Sequence, residues 1–187
     1  MGADQGVILS DRKFAGSDVL ATSYTLARGI RTLGGADLII CGRQTTDGDT
    51  AQIGPAIAEH MHIPHCAWVG AIESVDEEQI TLRQNFGSVT QVSRMQFPCL
   101  VTVDQDICVP RLPSYRMLQK TRDRMVRTLC YEDLGKKDLS RFGVVGSPTS
   151  VERIFAPEVM ASNIYVEGTA REKAGKVFAM LQERKYI

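Results

Sequence analysis

Long apolar runs are missing from this sequence. None approaches the ~20 residues needed to cross a bilayer, and Met1-Gly-Ala-Asp-Gln5 has neither a basic stretch nor an apolar core. Neither export nor membrane anchoring is expected from these residues. An excess of one charge is missing too: lysine and arginine number 22, as do aspartate and glutamate. The chain as a whole therefore lacks the positive field with which proteins hold nucleic acid by its phosphates. Paired cysteines are also wanting. Cys41, Cys66, Cys99, Cys108 and Cys130 are odd in number and widely spread, without a C-x-x-C, which argues against a disulfide framework and a zinc knuckle. Reduced thiols in a cytoplasmic protein fit best.

What is present has globular proportions, 43% hydrophobic and 24% charged over 187 residues, enough for one well-buried domain or one domain with an arm. Gly6-Val-Ile-Leu-Ser10 reads as a short buried strand, and Ser17-Asp18 opens a helix stopped by Gly34-Gly35. Ala36 to Cys41 is a second apolar run, followed by a polar loop and a helix reaching Met61. This β, loop, α repeat predicts βαβ units around a parallel sheet buried on both faces. Beyond Pro64 come a strand at Cys66–Ile72 and two alternating segments around Asn85-Phe-Gly87, which predict an antiparallel hairpin. Cys99–Val103 is one more buried strand and ends the compact pattern. Tyr115 to Arg127, with Arg116, Lys120, Arg122, Asp123, Arg124 and Arg127, reads as a solvated basic helix. Residues 1–135 are thus expected to form the α/β domain, with a loop at about 104–127. Residues 136–187 are expected to form an arm ending in an amphipathic helix with Ala174, Val177, Phe178 and Leu181 on one side.

Ligands of parallel α/β sheets bind beyond the carboxyl ends of the strands, where the stretch Cys41-Gly-Arg-Gln-Thr-Thr-Asp-Gly-Asp-Thr-Ala-Gln-Ile-Gly-Pro55 lies. A helix start there would stabilise an anion through its unpaired amides. Gly42 and Gly48 permit close backbone approach, and Arg43, Gln44, Thr45, Thr46 and Thr50 supply donors. Equally, Asp49 to Gln52 could be a simple capping box, and both readings stand. A helix begun at Asp49 would place Pro55 in its second turn, whereas one begun at Gly54 leaves the loop free. Asp47-Gly-Asp49 fails the EF-hand pattern at Ala51 and Gln52. His60, His62, His65 and Cys66 diverge on a helix and are then turned by Pro64, so zinc is not expected. Cys41, at a strand end before a helix, is either a thiol of lowered pKa or a buried structural one. No acid–base pair specifies a reaction, which favours a holder of a cofactor over an enzyme.

The segment Asp37-Leu-Ile-Ile-Cys-Gly-Arg-Gln-Thr-Thr-Asp-Gly-Asp-Thr-Ala-Gln-Ile-Gly-Pro55 resembles the signature of the electron transfer flavoprotein beta subunit. It carries Gly42-Arg43-Gln44, Asp47-Gly48-Asp49 and Gln52-Ile53-Gly54 in that order, in the wording of the anaerobic, bifurcating or carnitine-type branch. Asp11–Ile30, Pro110–Arg122 and Gly146–Glu158 are similar to further segments of that branch. The resemblance implies a three-layer Rossmann-like, adenine nucleotide alpha hydrolase-like α/β domain with a C-terminal arm, paired with an alpha subunit. It implies an electron carrier between dehydrogenases, acyl-CoA dehydrogenases among them, and a flavin acceptor, in fatty acid or carnitine metabolism. The loop would hold FAD or AMP through Cys41, Gly42, Arg43, Gln44, Thr45, Thr46, Asp47, Gly48, Asp49, Thr50, Ala51, Gln52 and Gly54. Asp18 would lie near the flavin, and Leu112 takes the place of the leucine that anchors a dehydrogenase.

Members of the family carry a strand, a Lys-Gln-Val-Pro-like loop and roughly another βαβ before the point matching Met1. The sequence is therefore expected to supply a domain incomplete at its N-terminus and one wall of a nucleotide site. The rival expectations are a non-redox adenine-nucleotide module of the same fold and a truncated chain that binds nothing.

Overall fold

The computed structural model describes residues 1–135, 138–156 and 163–186. Two compact units, Met1–Ser150 and Val151–Ile187, divide the chain.

In the first unit the chain runs β1 (Gly6–Leu9), α1 (Val19–Thr32), β2 (Leu38–Gly42), α2 (Ile53–Met61), β3 (His65–Val75), β4 (Gln79–Phe86), β5 (Val89–Gln96), β6 (Cys99–Val103), α3 (Tyr115–Thr121) and β7 (Val126–Leu129). Five strands form one sheet in the order β2-β6-β3-β4-β5. The β2–β6 and β6–β3 pairs are parallel, and β3–β4 and β4–β5 antiparallel. The architecture is therefore α/β with a mixed sheet, as expected, and the hairpin turns at Asn85-Phe-Gly87 as read, with Gly87 at φ +69°.

The interior position of β6, between β2 and β3, explains the unbroken apolar run there. Successive side chains of a strand point to opposite faces. Cys99 and Val101 enter one core cluster with Cys66, Val69, Ile80 and Leu82, while Leu100 enters another with Ala27, Ile39, Ile57 and Ala58 from the helix layer. Both faces are covered, so Cys99, Leu100 and Val101 are apolar in unbroken succession.

The α1 start is set by Asp18, whose Oδ1 accepts from the Leu20 and Ala21 amides. This is the N-cap that Ser17-Asp18 suggested. Gly29 lets α1 approach β1, because a Cβ there would lie 2.8 Å from Leu9 Cδ1.

Two expectations are corrected. The basic helix stops at Thr121, and Val126–Leu129 is a strand, β7, parallel to β1 in register from Gly6↔Val126 to Leu9↔Leu129. The reason is tertiary: β7 finds an edge to pair with that its charged sequence does not advertise. In consequence β1 belongs to a separate two-stranded sheet and does not join β2. The compact pattern also continues past Val103. Tyr131, Leu134 and Phe142 form a third core cluster with Leu9, Phe14 and Tyr24. Phe142, beyond Lys136 where little core pattern could be read, is 1% exposed.

The second unit contains α4 (Ala170–Glu183), opened by a Thr169/Glu172 capping box. Val177 and Leu181 of α4, with Ile164 and Val166, line a shallow groove of about 220 Å³. Of the segment Gly146–Glu158, residues 157 and 158 fall outside the described residues.

Candidate nucleotide site

Strands β2 and β6 run parallel and side by side, so their carboxyl ends, Gly42 and Val103, meet at one edge of the sheet. A cavity of about 550 Å³ opens there, lined by Gly42, Arg43, Gln44, Val103, Asp104, Gln105 and Asp106. It lies where ligands of parallel sheets are expected and within the size range of small-molecule sites. The Arg43 amide donates to the Val103 carbonyl at 3.0 Å, and the Asp104 amide donates to the Val69 carbonyl at 3.0 Å. The backbone ladder thus carries on past the formal strand ends and fixes the base of the cavity.

Arg43 is held from two sides. Its Nη1 donates to Asp104 Oδ1 at 3.0 Å, and its Cζ stands 4.4 Å from the centroid of the Trp68 ring. The cavity rim therefore has a cation and an amide at Arg43 and Gln44, facing carboxylates at Asp104 and Asp106.

The rest of the loop is organised by its own short contacts. Gln44 Nε2 donates to Asp49 Oδ1 at 2.6 Å, and the Asp49 amide donates to the Thr45 carbonyl at 3.2 Å. Asp47 Oδ1 accepts from the Gly48 amide at 2.8 Å. The Thr45 hydroxyl and then this amide hold the Asp47 carboxyl below its ordinary range. Asp49 and Ala51 adopt left-handed backbone, φ +47° and +54°, so the loop turns sharply before the helix.

The capping-box alternative does not form. The N-cap of α2 is Gln52, which makes no side-chain cap bond, and Asp49 is occupied with Gln44. Because α2 begins at Ile53, Pro55 sits in its first turn, where a missing amide proton costs nothing. The first amides of α2 have no capping side chain.

The cofactor residues read from the sequence are placed differently from one another. Gly42, Arg43 and Gln44 line the cavity, and Thr45, Thr46, Asp47, Gly48, Asp49 and Thr50 continue as exposed loop. Gly54 is buried, and a Cβ there would stand 2.3 Å from Thr102 Cγ2, so α2 rests on β6 at this point. Cys41 is half-buried, and burial pushes its thiol up. The lowered-pKa reading of Cys41 is thereby corrected: burial disfavours its thiolate. Asp18 serves α1 and, through Oδ2, accepts from the Thr149 amide and hydroxyl at 3.1 and 2.8 Å. Burial raises its pKa, but these bonds and those from Ala21 and Leu20 prevail and hold it low. Leu112 is 89% exposed on a segment that also exposes Val109, Tyr115, Leu118 and Met125.

Asp104, Gln105, Asp106 and Trp68 were not singled out by the sequence. A signal did exist for the first three, since they follow a buried apolar run as Arg43 follows β2. Trp68 gave none. Among the described residues no cluster of histidine, cysteine, aspartate and glutamate could hold a metal ion. Nor is any helix among them long and apolar enough to cross a membrane.

The electron transfer flavoprotein domain model matches residues 1–129, ending where β7 ends. The chain is 37% identical over 187 residues to the electron transfer flavoprotein subunit beta of Clostridium acetobutylicum, covering all of this chain and 71% of that protein. It is 40% identical over 181 residues to the protein FixA of Bradyrhizobium diazoefficiens, covering 92% and 62%. With the caffeyl-CoA reductase-Etf complex subunit CarD of Acetobacterium woodii the identity is 36% over 188 residues, covering 100% and 71%. The match over two thirds of the chain and these identities put it among electron-transferring subunits: the chain belongs to the electron transfer flavoprotein family and is of the beta-subunit type.

Proposed function

We infer that the cavity at the ends of β2 and β6 is one wall of an adenine-nucleotide site, which takes AMP or the adenylate half of FAD. The observation that carries this is the chemistry of its rim. Arg43 and Gln44 donate on one side, as a phosphate requires, and Asp104 and Asp106 accept on the other, as ribose hydroxyls or an amino group require. Gly42 leaves room for a ligand, since nothing lies within 4 Å of a Cβ built there. The uncapped start of α2 adds a positive dipole end beside the loop. Residues from Thr45 to Ala51, with Gln52, would close over the nucleotide from the loop side, and Asp18 would act by holding α1 in place.

When bound, FAD supplies the redox chemistry, and the protein's part is to orient it and set its surroundings. Arg43 would balance phosphate charge, and the Asp104 contact would keep the guanidinium extended over the cavity. The chain would work with an alpha-type subunit in the cytoplasm, where its free thiols persist. Leu112, with its exposed apolar neighbours, would anchor a flavin dehydrogenase.

The test is direct. The chain is co-purified with its alpha-type subunit, saturated with FAD and AMP, freed of excess, denatured, and the released nucleotide identified by chromatography. One nucleotide per chain is expected, reduced about tenfold or more in Arg43→Ala on the scale of a lost charge-assisted bond. Release of neither FAD nor AMP by the unaltered complex overturns the reading.

A further inference from the structure

Resting on the nucleotide reading, we propose that Trp68 is a positioning residue for that site: its indole holds the Arg43 guanidinium in the orientation that meets the nucleotide phosphate. Trp68 is a bulky residue at φ +58°, a conformation such side chains rarely adopt and one that costs free energy. It lies in an irregularity of β3. Cys66 pairs with Val101 and Val69 with Val103, so β3 spends one residue more than β6 over the same span. A bulge of this kind re-aims a side chain.

The backbone groups that the bulge removes from the ladder are met by two buried polar side chains. Thr102, 1% exposed, accepts from the Trp68 amide at 3.0 Å through Oγ1. Gln84, 6% exposed, donates its Nε2 to the Ala67 carbonyl at 2.5 Å. The Gln84 Oε1 in turn accepts from Ser93 Oγ at 3.2 Å and Gln91 Nε2 at 3.3 Å on β5. Buried polar groups are costly unless satisfied, and here they are satisfied by maintaining the bulge. Its visible outcome is an indole, 38% exposed, against Arg43 at the cavity rim. The indole restrains the guanidinium plane, and the Asp104 carboxylate restrains its tilt.

Two measurements on the full chain test this. Trp68 is its single tryptophan, so emission reports the contact directly. Arg43→Ala is expected to shift the emission and raise acrylamide quenching. Binding of AMP by calorimetry is then compared, in complex with the alpha-type subunit, for the unaltered chain, Trp68→Phe, Trp68→Leu, Arg43→Lys and Trp68→Leu/Arg43→Lys. Trp68→Leu stays apolar but loses the ring face and is expected to weaken AMP about three- to tenfold, with Trp68→Phe restoring affinity to within about twofold. In the Arg43→Lys background, which keeps charge but loses the planar fork, the Trp68→Leu penalty is expected to shrink below about twofold. A purely structural tryptophan would give the same penalty in both backgrounds, and that result, or emission indifferent to Arg43→Ala, overturns the proposal. Absence of both AMP and FAD binding by the unaltered complex instead overturns the nucleotide reading on which the proposal rests.

Discussion

One carboxylate joins Asp18 to Thr149: Oδ1 caps α1 while Oδ2 accepts both the amide and the hydroxyl of Thr149. The Asp18 amide meanwhile donates to Ser147 Oγ at 2.8 Å. A helix start and a segment far along the chain are thus fastened at one residue. Asp18→Ala removes the cap and leaves the Thr149 donors without their acceptor, and a loss of about 1–3 kcal/mol is expected in urea unfolding followed by circular dichroism.

The same carboxylate sets a pH dependence. Its pKa is lower in the folded chain than in the unfolded one, so its contribution is present in full above the ordinary carboxylate value, ~4. It is lost as pH falls from there through the folded value. Asp18→Asn should therefore flatten the decline of stability with acidification in that range, measured as urea midpoints. An unchanged slope would show that Asp18 is not a contributor.

Gly54 and Thr102 set how closely α2 lies on β6. Gly54→Ala drives a methyl into Thr102 Cγ2 and is expected to cost about 1–3 kcal/mol, as overpacking does. Thr102→Ser removes that methyl but keeps the hydroxyl on the Trp68 amide. The double variant Gly54→Ala/Thr102→Ser is accordingly expected to recover most of the loss, read from thermal melts.

Phe142 packs on Tyr24 and Tyr131 with ring centroids 5.1 Å away, and on Phe14 at 5.7 Å. Phe142→Ala is expected to cost about 3–5 kcal/mol. Leu112→Ala serves as the contrast. So exposed a side chain contributes little to folding, and a change within about 0.5 kcal/mol is expected. If Leu112 docks a dehydrogenase, the rate of electron delivery from that enzyme, measured by stopped flow, falls in Leu112→Ala while stability holds.

Thiol chemistry separates the cysteines. Burial raises the pKa of Cys66 and Cys99, and Cys108 is exposed. Reaction of the native chain with an aromatic disulfide at neutral pH should release one rapid equivalent from Cys108. Cys66 and Cys99 should react only on unfolding. Rapid native labelling of either buried thiol would contradict the described core.

The elements legible in the sequence were those whose cause is local. β6 shows as an apolar run because both faces are covered, and α1 shows through its Asp18 cap and Gly34-Gly35 stop. The β4–β5 hairpin shows through alternation around Gly87. What could not be read has non-local causes. Val126–Leu129 becomes a strand because β1 offers an edge, against the charge pattern around it. Phe142 is buried by Phe14 and Tyr24 from the start of the chain together with its nearer neighbour Tyr131. At the site, Gly42, Arg43 and Gln44 were found by the strand-end rule, whereas Trp68 reaches Arg43 only through a bulge, which no periodicity announces.

The β1–β7 ladder has a kinetic consequence. It pairs Gly6 with Val126, the widest sequence separation of any ladder among the described strands, whereas β3, β4 and β5 are joined by short turns. Closing the longer loop costs more entropy before any contact repays it. The hairpins are therefore expected to gain amide protection first in pulse-labelled refolding, and Val7 and Ile8 last. The pairing of β1 with β7 would then be the final event of folding.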